Sequence, residues 1–474
     1  MLTHGIMPPL MFCGMIAFLL VGFPVAFSLA AIGLLFGLAG IATGHFNPDF
    51  LQALPFRLFG TIANELLLAI PFFTFMGAIL ERCGLAEELL EGMGKLFGGK
   101  PGGLAVAVVL VGAILGAVTG TVAASVIAMG VISLPVMLRY GYDMRLATGV
   151  IAASGTITQV IPPSLVLIIL ADQLKRSVGD MYLGAIGPSL LQVGIFLAFL
   201  GLVALFQPWR MPPLPIEARG QLGWKLVGQV CLAMVPSLGL IFLVLGTIFL
   251  GLATPTEAGA MGATGAIILA ALYGRLSWQL LRQAMTSTAS LTAMVVFILF
   301  GATCFSLVFQ GVNGGAWIES LLEGLPGGQV GFLIFVNVFV FGLAFFLDFF
   351  EIAFIVLPLL VPVAAKLDID LIWLGLLICV NMQTSFMHPP FGFALFYLRG
   401  IAPKEVKSSD IYWGAVPWIG LQLLLVGIMI FFPQSVTYWI TKEKQLDRGV
   451  VEHKLESIGA PELDDEIEIP KITQ

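Results

Sequence analysis

One stretch of this chain is written twice. The first copy runs from Pro101-Gly102-Gly103 to Pro162-Pro163, the second from Pro326-Gly327-Gly328 to Pro389-Pro390. Inside them Pro135 answers Pro362, Arg139 answers Lys366, Asp143 answers Asp370 and the proline pairs answer each other, always 227 residues apart. The opening Pro-Gly-Gly stands at 225, so a two-residue length change falls inside the first apolar arm. Leu89-Leu90-Glu91-Gly92 and Leu321-Leu322-Glu323-Gly324 precede the two copies. Whatever the chain folds into must therefore build the same unit twice.

The unit is a membrane one. The chain is 59% hydrophobic and 11% charged, whereas soluble domains carry about 25% charged residues. Apolar stretches of the roughly 20 residues that cross a bilayer fill most of it. They are read at 5–22, 24–44, 56–81, 146–172, 183–207, 226–250, 255–274, 286–311, 370–399 and 411–432. Two longer stretches, 102–138 and 329–365, are interrupted by Gly116-Ala-Val-Thr-Gly-Thr121 and by Phe345-Phe-Leu-Asp-Phe-Phe-Glu351. A re-entrant hairpin fits each better than one over-long helix. The expectation is an all-α polytopic membrane protein of about ten crossings and two re-entrant helical hairpins. Apolar halves broken by Gly and Pro at matching places have the pattern of secondary transporters with internal repeats.

Charge distribution adds sidedness. Loops at 82–100, 139–145, 207–225, 275–282 and 399–407 hold most of the Lys and Arg, and these spans place them on one side, which becomes cytoplasmic. The loop at 312–328 holds Glu319 and Glu323 and no cation, so it faces out. The hairpins then open from opposite faces: two inverted-topology repeats. The N-terminus reads as periplasmic and as a first span rather than a cleaved signal. The acidic tail from Thr441 reads as periplasmic and solvated. Six segments follow: scaffold helices at 1–82, hairpin and broken helix at 83–180, scaffold at 181–312, hairpin and broken helix at 313–402, a last scaffold helix at 403–435, and the tail at 436–474.

Several classes drop out. The five cysteines stand alone, with no metal or disulfide spacing. No basic surface points to nucleic acid. Gly94-Lys-Leu-Phe-Gly-Gly-Lys100 imitates a phosphate loop, but Pro101 stands where Ser or Thr is needed and no strand precedes it. Thr254-Pro-Thr-Glu257 fits a helix start with a capping-box Glu rather than a catalytic site. No nucleophile–base pair at membrane depth suggests an enzyme.

Chemistry is expected where each copy ends in a broken apolar helix, Ser154-Gly-Thr-Ile-Thr-Gln-Val-Ile-Pro-Pro-Ser164 and Gln383-Thr-Ser-Phe-Met-His-Pro-Pro-Phe-Gly392. Proline has no N–H and crowds the carbonyl four residues back. Bare carbonyls are costly in hydrocarbon and persist where they line a cavity or hold something. The hydroxyls of Thr156, Thr158, Thr384 and Ser385 lie beside them. Carbonyls and hydroxyls at a half-helix C-terminus suit a hard cation such as Na⁺, and a half-helix N-terminus suits an anionic substrate group. The hairpin tips add Gly116, Thr119, Gly120, Thr121 and Ser125 in the first copy, and Asp348 and Glu351 in the second. Thr121, Ser125, Thr156, Asp348, Glu351 and Thr384 are the candidate substrate contacts. Kinks with hydroxyls bonded to their own turns, and Asp348 as a helix cap, are the structural alternatives. His388 is either a titrating or substrate-contacting group or a packed imidazole.

At these residues the chain resembles the large membrane subunit of tripartite ATP-independent periplasmic (TRAP) transporters. The marks are Ile70-Pro-Phe-Phe-x-x-x-Gly77, Arg139-Tyr-Gly-Tyr-Asp143, Ala152-Ala-Ser-Gly-Thr156 with Ile161-Pro-Pro-Ser164, Pro255-Thr-Glu-Ala258 and Pro389-Pro-x-Gly392. The resemblance implies a sodium-coupled elevator importer of carboxylates in the bacterial inner membrane. It implies a small four-helix membrane partner and a periplasmic substrate-binding protein. It also implies two Na⁺ sites, the first at Gly116, Thr119, Thr158, Ile161 and Pro162. The second would use Ala344, Ser385, His388 and Phe391, although the family pattern has Gly at the first two of these positions and Thr where His388 stands. The competing reading is a self-sufficient dicarboxylate or citrate carrier that needs no binding protein.

Overall fold

The computed structural model describes residues 5–119, 122–215, 224–322, 325–345, 347–390 and 392–440. Among them every regular element is helical, as a chain without water to satisfy its backbone requires. The N-terminal arm comprises α1 (Met7–Val21), α2 (Val25–Ala42), the short α3 (Asp49–Gln52) and α4 (Leu54–Ile62), and α5 (Ala69–Arg82). Next come α6 (Leu85–Phe97), the pair α7 (Gly103–Thr119) and α8 (Val122–Arg139), then α9 (Met144–Thr156), a 3-10 turn at Ile157–Gln159, and α10 (Leu165–Leu174). The middle of the chain is α11 (Val178–Phe206), α12 (Trp224–Phe249), α13 (Pro255–Leu272), the 34-residue α14 (Trp278–Gly311) and α15 (Gly314–Leu322).

The same order then returns. Here α16 (Gly328–Leu343) precedes α17 (Phe349–Glu351), a π turn and α18 (Leu357–Lys366), followed by α19 (Leu371–Gln383), a 3-10 turn at Thr384–Met387 and α20 (Phe393–Ile401). The chain closes with α21 (Ser408–Phe431) and α22 (Gln434–Thr437). Matched residues perform matched tasks. Gly102 and Gly327 both sit at positive φ, 77° and 95°, where glycine alone bears no Cβ penalty. Pro135 and Pro362 lie inside α8 and α18. Asp143 and Asp370 cap α9 and α19, accepting from the amides of Leu146 at 3.0 Å and Trp373 at 2.8 Å. Both proline pairs are joined by cis bonds.

Among the described residues seven helices are long and apolar enough to cross a membrane, eight if a bent pair counts as one, against the ten crossings expected. Each broken helix is split into halves too short to count, and α1 has only 15 residues. The span expected at 56–81 is itself bent by 46° between Ile62 and Glu65. Asn64 causes the bend: its side chain accepts the Leu66 amide at 3.0 Å and donates to Asp172 at 2.7 Å. Two expected loops hold helices. In α6, Leu89, Leu90 and Met93 lie on one face and are buried against the start of α7, an amphipathic pattern hidden among Glu and Lys residues. The loop at 312–328 contains α15. The start of α13 matches its expectation, with a capping box between Thr254 and Glu257.

The two copies interlock. α20 packs on α8, where a Cβ at Gly130 would meet Ile401 at 2.3 Å, and α10 packs on α19, where one at Gly375 would meet Leu174 at 2.5 Å. Tyr142, in the loop between α8 and α9, accepts the Leu104 amide at 3.3 Å, and burial pushes its phenol up to about 12.

Candidate functional site

The two helix breaks are built alike, atom by atom. Pro162 and Pro389 carry no N–H, so the carbonyls of Thr158 and Ser385, four residues earlier, lose their helical donor. The same two residues supply hydroxyls. Thr158 Oγ1 donates to the Gly155 carbonyl at 3.1 Å and Ser385 Oγ donates to the Met382 carbonyl at 2.6 Å. Each hydroxyl thus uses its only proton within its own turn and keeps oxygen lone pairs for a further partner. Thr158 and Ser385 are 227 residues apart, as are Gly155 and Met382. The neighbouring carbonyl of Gln159, freed by Pro163, is instead satisfied by the Ser164 hydroxyl at 2.7 Å.

In the first copy the hairpin reaches the break. A Cβ at Gly116 would lie 3.0 Å from Thr158 Cα and 3.3 Å from its Cγ2, so only glycine lets α7 come this close. Ile161 is half-buried, Pro162 is buried, and Thr119 ends α7. Ser125 is buried on α8. Thr121 and Phe391 lie outside the described residues, as does Gly120.

In the second copy α16 ends at the buried Ala344. Phe341 and Phe345 then clasp His388, with ring centroids 4.3 and 4.2 Å away. His388 is 1% exposed, and neither ring nitrogen has a hydrogen-bond partner among the described residues. A buried polar atom without a partner costs about 1–3 kcal/mol, so His388 is the polar group of the second break whose ring is held by aromatic packing alone among the described residues. Asp348 and Glu351 face each other instead, in a capping box. The Glu351 amide donates to Asp348 at 3.1 Å and the Asp348 amide to Glu351 at 3.0 Å.

Thr156 and Thr384 belong to a different part of the structure. Thr384 Oγ1 donates to the Asn381 carbonyl at 2.6 Å. Thr156 Oγ1 donates to Ala153 at 2.8 Å and accepts from Gln422 Nε2 at 3.0 Å. Gln422 also reaches Gln383 Oε1 at 3.2 Å, and Gln383 pairs reciprocally with Gln192 at 2.5 and 3.2 Å. All three glutamines are fully buried. This network joins α9, α11, α19 and α21, and sequence reasoning did not find it. The available signal was a lone amide in each of two otherwise apolar spans, Gln192 and Gln422, since polar groups at such depth are seldom idle.

These features define a polytopic helical membrane protein with duplicated, discontinuous helices. The family model for the DctM component of tripartite ATP-independent periplasmic transporters matches residues 12–435. The C4-dicarboxylate TRAP transporter large permease protein DctM of Pseudomonas aeruginosa is 31% identical over 84% of this chain and 91% of its own. Its Vibrio cholerae namesake is 30% identical over 90% and 96%. The isethionate TRAP transporter permease protein DctMQ of Oleidesulfovibrio alaskensis is 28% identical, over 90% of this chain and 65% of its own. The crystal structure of the Alcanivorax borkumensis YdaH transporter shares the fold, with a TM-score of 0.57 at 18% identity, covering 82% of this chain and 90% of that one. The chain belongs to the DctM component family of TRAP transporters, and it is a multi-pass membrane permease.

Proposed function

We propose that this chain is the large permease subunit of a sodium-coupled, binding-protein-dependent importer of organic acids in the bacterial inner membrane. Its carboxylate substrate is inferred from relatives named for C4-dicarboxylates. A small four-helix membrane subunit and a periplasmic binding protein complete it, in keeping with the tripartite family name. The two copies are inverted repeats, and 83–180 and 313–402 move as an elevator against 1–82 and α12–α14. Placed with the scaffold by the sequence, α11 and α21 travel with them instead, because the glutamine network ties them to α9 and α19. Gly116, Thr119, Thr158, Ile161 and Pro162 hold one Na⁺; Ala344, Ser385, His388 and Phe391 hold the second coupling site. Ser125, Asp348 and Glu351 remain the candidate substrate contacts, with Thr121 outside the described residues, whereas Thr156 and Thr384 spend their hydroxyls on Ala153, Gln422 and Asn381.

One observation carries the reading. At both breaks a single residue offers a freed carbonyl and a hydroxyl whose proton is already committed, which is the donor set a hard cation needs. The test is uptake of labelled succinate into proteoliposomes under a Na⁺ gradient, with and without binding protein. Thr158→Ala should raise the Na⁺ concentration for half-maximal uptake about tenfold, the worth of about 1.4 kcal/mol, at unchanged expression. Identical Na⁺ activation would remove the hydroxyl from the site. Uptake without any binding protein would instead favour the self-sufficient carrier.

His388 gives the second site a different character from the first. Its imidazole stands where the resemblance expects a Thr hydroxyl. If this imidazole relays protons, His388→Thr should shift the pH profile of uptake. Superimposable profiles would assign the ring to packing alone.

A further inference from the structure

The first turns of α14 carry a polar face that neither helix break uses. Gln279, Arg282, Gln283 and Ser290 recur there at helical spacing, and Arg82 at the end of α5 closes the opposite wall. They line a concavity of about 620 Å³. Among the described residues, its lining holds two guanidinium groups and otherwise only amides and hydroxyls. Arg82 is held in place. It donates to Ser287 Oγ at 3.0 Å and to the Ala78 carbonyl at 3.0 Å, with Glu81 at 3.9 Å. Arg282 is exposed, and its guanidinium has no acidic partner among the described residues.

Depth and shape narrow what this cavity takes. At 1.5 Å per residue α14 is about 51 Å long, whereas the hydrocarbon layer is about 30 Å thick. Its apolar C-terminal part is packed on α2, so the polar first turns fall at headgroup level. Farther along the same face the helix turns apolar, and Met294 and Phe297 are 43% and 53% exposed. A cationic pocket continued by an open apolar strip matches a molecule with an anionic head and a hydrocarbon tail. A free anion would leave the strip uncovered. Two guanidiniums suit a phosphodiester, which accepts paired N–H donors.

We propose that Arg82 and Arg282 bind the phosphate of one anionic glycerophospholipid, with an acyl chain along Met294 and Phe297. The full chain, purified in detergent and offered phosphatidylglycerol or phosphatidylcholine of identical acyl composition, tests this by native mass spectrometry. Wild-type protein should retain one phosphatidylglycerol in preference to phosphatidylcholine by roughly tenfold, and Arg282→Gln should cut that preference about fivefold. Ser290→Glu, which sets a carboxylate into the lining without touching Arg82, should cut it as well. The proposal fails if the two lipids are retained equally, or if both variants match wild type. It fails too if excess inorganic phosphate displaces the adduct completely, which would mark a free-anion site. It is equally overturned if Arg282 proves necessary only for retaining a co-expressed small subunit.

Discussion

Gly149→Val should leave the purified protein unfolded or melting well below wild type, as followed by fluorescence-detected size exclusion after heating. A Cβ at Gly149 would lie 2.2 Å from the Gly414 carbonyl oxygen and 2.6 Å from the Trp418 indole nitrogen, and one at Gly414 would lie 2.3 Å from the Arg145 carbonyl oxygen. α9 and α21 thus touch backbone to backbone. Lipid offers no hydrophobic force to hold helices together, so such close approach at small residues does much of that work. The atoms in the way are largely main chain and cannot swing aside. Trp418 is itself pinned edge-on by Phe196 and Phe199, at 4.9 and 5.2 Å. Overpacking of this kind costs about 3 kcal/mol or more. Gly194→Val on α11, where a Cβ meets nothing within 4 Å, is the control and should melt like wild type. Equal stability of the two variants would mean that α9 and α21 are not in contact.

Gly116→Val should act on uptake rather than folding. The valine methyls would press on Thr158 across a gap that admits only hydrogen. The hairpin arm must then back away from the helix break, which opens the proposed first ion site. A misfit of about 1–3 kcal/mol at that contact corresponds to roughly 5–150-fold weaker coupling between ion and substrate. The measurement is Na⁺-driven uptake at saturating substrate, alongside a melting curve. Wild-type Na⁺ activation at wild-type stability would show that α7 and the break do not cooperate.

Much of the architecture was legible because the duplicated landmarks are residues with fixed backbone duties. Pro-Gly-Gly, the capping aspartates Asp143 and Asp370, the internal prolines and the Pro-Pro pairs each act within a few residues. Spacing alone put them in register, and the structure gives each matched pair the same local duty. Elements that depend on partners distant in sequence were harder to see. The bend at Asn64 is set by Asp172, more than a hundred residues on. The helix α6 shows its buried face only once α7 is present to cover it. At the site, the family resemblance brought Gly116 to Thr158, and the 227-residue offset matches Thr158 with Ser385. Composition could not tell that Thr156 would turn toward Gln422, nor decide between a substrate contact and the helix cap that Asp348 makes with Glu351. The first of these is decided by α21, a helix distant in sequence, and the second within a single turn.

The amide of Gln422 donates to Thr156 on one side and to Gln383 on the other. Parting the two interrupted helices would break at least one of these bonds in a region with no water to replace it, at a cost of roughly 1–2 kcal/mol. The pair is therefore clamped into one cartridge. Any swing between outward- and inward-facing shapes must carry both breaks together, with the sliding seam lying elsewhere in the molecule.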